Sequence, residues 1–151
     1  MQTLNHESFR ELVARLERVT PESPRVWGLM TPHEMICHVN DSFLVGMGER
    51  QAADISTRVS RTLIKWVALY APMRWPQGLD TRPEVDPRRA GTAPIDFWRD
   101  RDVLVRTMTR FAAQPPDFAW GRHPIFQGMS EPAWRRWGYL HVDHHLRQFG
   151  A

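Results

Sequence analysis

Apolar residues recur at three- and four-residue spacing along most of this chain, and that period predicts helices. In residues 4–19 the stripe is Phe9, Leu12, Val13, Leu16 and Val19, with Arg10, Glu11, Arg15, Glu17 and Arg18 around the rest of the cylinder, and Thr20-Pro21 stops it. A second helix opens on Thr31-Pro32-His33-Glu34. Thr31 can cap, Pro32 fits the first helical position, and Glu34 sits three residues after the cap. Its stripe is Met35, Val39, Phe43 and Gly46, and Glu34, His38, Asp41 and Ser42 lie along one flank. A third helix over 57–70 is expected to turn Val59, Leu63, Trp66, Val67 and Tyr70 inward before Ala71-Pro72 ends it. A fourth, 95–113, has Phe97, Val103, Leu104, Met108 and Phe111 as core candidates, and a last helix follows Ser130 to about Gly150. No strand alternation is convincing.

These segments predict an all-α fold in one domain over 1–151, most simply a four-helix bundle with crossovers. Two connections, 72–94 with five prolines and 117–129, are long for a compact domain. Loops of that length are usually functional or wrap the surface.

Composition narrows the function. Hydrophobic residues make up 42% and charged residues 25%, which fits a globular domain and argues against wholesale disorder. The formal charge is only +3, and the arginines are interleaved with Asp and Glu instead of clustered, so no nucleic-acid partner is expected. The longest apolar run, Leu63 to Met73, is broken by Lys65 and is too short for a bilayer. The start is polar, without the apolar core of a signal peptide, and Cys37 is the lone cysteine. A cytoplasmic protein without membrane attachment is the expectation.

The chemistry is concentrated in Trp134 to Gly150, WRRWGYLHVDHHLRQFG. His141 and His145, four apart on a helix, lie about 40° from each other and about 6 Å apart along the axis. Arg136, Asp143 and Arg147 mark the solvent side, so His141 and His145 form the interior pair and His144 the flanking residue. Two imidazoles rarely make a tight site, and His38 on the second helix is the candidate third ligand. An isolated pair would more often be ordinary core or surface residues; an inward histidine on another helix makes a metal site an even contender. Cys37 points about 100° from His38 and is best read as buried packing. His6 and His33 read as exposed helix-end residues. His123, before Pro124, is either a residue lining the site or a plain turn residue. Glu34 and Asp41 are candidates for orienting His38 or for proton transfer; the bland alternative is that both face solvent.

Leu29-Met30-Thr31-Pro32-His33-Glu34-Met35-Ile36-Cys37-His38-Val39, the His123-Pro124-Ile125-Phe126 loop and YLHVDHHLRQFG together resemble the DinB/YfiT-like superfamily, in particular a branch known only as a domain of unknown function. The resemblance implies a four-helix bundle in up-down-down-up order, often a homodimer, holding a divalent metal through His38, His141 and His145, with His144 not a ligand. Characterised members include transferases that use low-molecular-weight thiols and a maleylpyruvate isomerase.

The leading expectation is a metal-dependent enzyme in which Zn or Ni on three histidines leaves an open position for a small-molecule substrate, in thiol transfer or hydrolysis, with Glu34, Asp41 and His123 in supporting roles. The rivals are a non-catalytic, stress-associated metal-binding bundle and an inert bundle with a satisfied polar core.

Overall fold

A computed structural model describes residues 2–151. The described residues are all-helical, with five α-helices and no strand: α1 (His6–Leu16), α2 (Pro32–Gly46), α3 (Lys65–Tyr70), α4 (Phe97–Ala112) and α5 (Glu131–Gln148). A π-helical turn, Ser60–Ile64, leads directly into α3, and a short 3-10 turn, Pro83–Val85, interrupts the long proline-rich connection. No described helix is long and apolar enough to cross a membrane.

Local chemistry sets where the helices start. Asn5 Oδ1 accepts from the amides of Glu7 and Ser8, while Ser8 Oγ accepts from the Asn5 amide, closing a capping box on α1. On α2, Thr31 Oγ1 accepts from the Glu34 amide and Glu34 Oε2 accepts from the Thr31 amide at 2.7 Å. Pro32 supplies the fixed φ of the first turn. Asp96 caps α4 by accepting from the Arg99 amide at 2.7 Å.

α2 packs along α4, and α5 runs through the middle, touching α1, α2 and α3. The core joins Leu12 and Leu16 of α1, Met35 and Phe43 of α2, Leu104, Met108 and Phe111 of α4, and Trp134 and Leu146 of α5, all fully buried. Gly138 makes the central crossing possible. A Cβ there would come within 3.2 Å of the Phe111 ring and 3.3 Å of the Phe43 ring, closer than two packed side chains tolerate without moving.

α3 departs from its expected orientation. Val59, Leu63, Trp66 and Tyr70 are exposed, Val67 is half-buried, and Leu69 is the buried residue of the helix. The physical reason lies on its inner side: Ile64, Val67 and Ala68 face a cavity, so only Leu69 reaches the packed interior. The stripe read as a core face is largely a surface.

Candidate metal centre

His38 projects from the middle of α2, and His141 and His145 project from the second half of α5. All three are buried, and one ring nitrogen from each lies within 4.8 Å of the other two. His38 Nε2 and His141 Nε2 face each other at 3.3 Å. The three rings meet edge to face, with centroids 4.8–5.2 Å apart.

What holds each ring decides which nitrogen it offers. His38 Nδ1 donates to the Val85 carbonyl at 2.8 Å, which leaves Nε2 as the bare nitrogen. His145 Nδ1 donates to Gln148 Oε1 at 3.0 Å, and the Gln148 amide NH2 in turn donates to the Trp27 carbonyl at 3.1 Å. An oxygen acceptor behind a ligating imidazole is the usual device that fixes tautomer and orientation. His141 Nδ1 is buried without a protein partner. Its ring is set instead by stacking on Trp137, with centroids 4.7 Å apart.

Burial pushes the pKa of all three histidines below the usual value, well below it for His141 and His145. The Val85 carbonyl, Asp41 and Asp86 partly offset the effect at His38, whereas the neighbouring histidines deepen it at His141 and His145. The rings are therefore neutral at pH 7, the form that binds a metal. Three imidazole nitrogens suit a divalent transition metal better than the hard oxygen-seeking cations. The residues present fit a divalent ion, with His38, His141 and His145 as its holders.

The three histidines line a cavity of about 420 Å³. Its walls are mainly apolar, with Ile64, Val67, Leu79 and Phe126 among them and with Trp75 and Trp137 against His141. His144 also borders it, in contact with Trp27 at a centroid distance of 4.6 Å, and burial with Arg147 nearby pushes its pKa down to about 4. No fourth His, Cys, Asp or Glu joins this group among the described residues.

The other candidates fall in different places. Glu34 is spent on the α2 cap. Asp41 is fully buried and does not face solvent; its carboxylate accepts from the Thr92 amide at 2.6 Å and the Thr92 hydroxyl at 2.7 Å, with Arg50 3.3 Å away. Asp41 thus ties the end of the proline-rich connection to α2. Neither carboxylate is hydrogen-bonded to His38, whose partner is the Val85 carbonyl. His123 does line the cavity. Its Nδ1 accepts from the amides of Ile125 and Phe126, and burial pushes its pKa down to about 3.

His33 is not a free helix-end residue. Its Nε2 is 2.7 Å from Asp100 Oδ2, and with Cys37 these residues form a second grouping with metal-ligand chemistry. Asp100 Oδ2 also accepts from the amides of Ile95 and Asp96, so this carboxylate already organises the entry to α4. Cys37 is buried as expected, and burial together with Asp100 pushes its thiol up to about 12.

Sequence reasoning missed the supports of the site. Gln148, three residues after His145 on the same helix, carried a legible signal. The Val85 carbonyl, 47 residues from His38 in an irregular segment, carried none.

The model of a family described as a protein of unknown function, DUF1569, matches residues 5–151. The chain belongs to the DUF1569 family. No curated protein and no solved structure matches it. Both α2 and α5, and so all three histidines of the centre, fall inside the DUF1569 match.

Proposed function

We propose that this protein is a metal-dependent enzyme that holds one zinc or nickel ion on His38, His141 and His145 and processes a small molecule in the adjoining cavity. The observation that carries the reading is the convergence of three buried, neutral imidazoles, from two helices far apart in sequence, at the edge of a space large enough for a ligand. A divalent ion bound there supplies Lewis acidity, lowering the pKa of a coordinating water or thiol toward neutrality. The chain's own residues do the rest. Val85 and Gln148 fix the tautomers of His38 and His145, Trp137 sets the plane of His141, and the mainly apolar walls present a surface for the substrate.

Thiol transfer and hydrolysis are the two reaction classes that we propose for it, on a fold that we read as a DinB/YfiT-like four-helix bundle. One feature favours a second reading, an ion that only fixes the fold: the histidines are deeply buried where α2 meets α5. A single experiment separates the two. Elemental analysis of protein purified without chelator is expected to give near-stoichiometric zinc or nickel; metal at trace level only, with no uptake on addition, sinks both. His141→Ala should abolish uptake while helical circular dichroism persists, whereas global unfolding of that variant marks a structural ion.

A further inference from the structure

Among the cavity residues, His123 is held through both its backbone and its ring. Its backbone amide donates to the Gln127 carbonyl at 3.2 Å and its carbonyl accepts from the Gln127 amide at 2.8 Å, closing a five-residue loop. Gln127 completes that loop in the left-handed region, at φ 56°. The imidazole stacks almost parallel on Phe126, 12° between planes with centroids 4.5 Å apart, and meets Trp137 edge to face. Nδ1 faces back into the loop, where the Ile125 and Phe126 amides donate to it at 3.2 and 3.1 Å.

Two N–H groups pointing at one ring nitrogen settle the tautomer. A nitrogen that accepts cannot also carry a proton, so the proton of the neutral ring resides on Nε2. Nε2 points away from those two amides, makes no hydrogen bond to protein among the described residues, and keeps some accessible surface. His123 as a whole is only 8% exposed, and the space it borders is the cavity shared with His141 and His145. A donor on such a cavity wall with no protein partner is left for water or a ligand to satisfy.

We propose that His123 presents a fixed Nε2–H donor to the ligand, and that the cavity takes a predominantly apolar small molecule bearing an acceptor oxygen, such as a ketone or ester carbonyl. This rests on the cavity beside His38, His141 and His145 being the working site. The volume, about 420 Å³, lies within the range of small-molecule sites, and the mainly apolar walls offer few partners for a heavily hydroxylated molecule. His123 polarises or positions that oxygen; it does not serve as a general base, because its one lone-pair nitrogen is occupied by the loop amides.

The test uses acetophenone and its hydrocarbon isostere α-methylstyrene, titrated by protein-observed NMR into the full chain freed of metal with chelator, so that no ion can bind the ketone. The ketone is expected to bind about three- to tenfold more tightly than the hydrocarbon, the net value of one hydrogen bond. In His123→Phe, which keeps the aromatic stacking, that preference should vanish while hydrocarbon binding persists. Independently, the ¹⁵N shifts of the His123 ring should identify Nδ1 as the bare nitrogen, a result that stands even if the variant does not fold. Equal affinities, a preference that survives His123→Phe, or a proton on Nδ1 would each overturn the proposal. Failure of the metal reading appears separately, as absent metal uptake with the ketone preference intact.

Discussion

α3 and α5 invert the usual relation between composition and burial. The turn and helix over 58–70 are rich in Val, Leu, Ile and Trp, yet Leu63 and Trp66 are 61% and 59% exposed. α5 carries three histidines, three arginines and an aspartate, yet within Glu131–Gln148 only Pro132 is exposed. Position in the fold, more than hydrophobicity, decided which helix went inside. α5 tolerates it because its charges reach partners: Arg135 donates to the carbonyls of Ala112 and Gln114, Arg136 to that of Leu69, and Asp143 pairs with Arg15 at 2.9 Å. Those links tie neighbouring elements to α5, which turns a polar helix into a hub. α3 instead forms the rim of a cavity, and its outer face meets solvent.

Acid should break this contrast most severely, by attacking the hub and the histidines packed against it. The pKa of His144 is pushed down to about 4 and that of His123 to about 3, against 6.5 in the unfolded chain; His38, His141 and His145 are lowered as well. Below pH 6.5 the unfolded chain therefore binds protons that the folded chain refuses. Stability is complete above that pH and drains as the pH falls toward 4 and 3. The rate is about 1.4 kcal/mol per pH unit for each such histidine. Thermal melts of metal-free protein from pH 8 to pH 4 should fall steeply below pH 6.5; a flat profile would mean that the rings protonate in place.

Next in size, Trp134→Ala removes the largest fully buried side chain of α5 and should cost about 3–5 kcal/mol in a denaturant titration. Gln148→Leu cuts the link between His145 and Trp27 without touching a ligand. Metal affinity, measured by competition with a chelator, should drop about 10–100-fold while the fold survives. An unchanged affinity would mean that the tautomer of His145 is fixed without Gln148. The smallest effect belongs to the other side of the comparison. Leu63→Glu on the outer face of α3 should shift stability by less than about 0.5 kcal/mol. A loss of several kcal/mol there would show that this face is covered in solution.

Much of the fold could be read from residue order because the signals are local. Thr31 with Pro32 and Glu34 act within one helical turn, so capping chemistry located the start of α2 without knowledge of what it packs against. The caps Asn5 with Ser8 and Asp96 are equally local, but α1 and α4 are read from their apolar stripes alone. The pairing of His141 with His145 was legible for the same reason, since four residues on a helix fix a common face. A wheel drawn on α5 could not reveal that nearly every side of the helix is enclosed, because that depends on three neighbouring helices.

The sequence by itself determined the helices, the capping box of α2 and the candidate ligands His38, His141 and His145. Only the tertiary structure decided that these three meet, that Val85 and Gln148 fix the rings, and that Asp41 anchors Thr92 across 51 positions of sequence. It also decided that His123 turns its Nδ1 into its own loop and that the stripe on α3 faces water. Helical periodicity and capping are set by residues within one turn of one another. The course of the proline-rich connection, and hence what it covers, is set by where distant surfaces leave room for it.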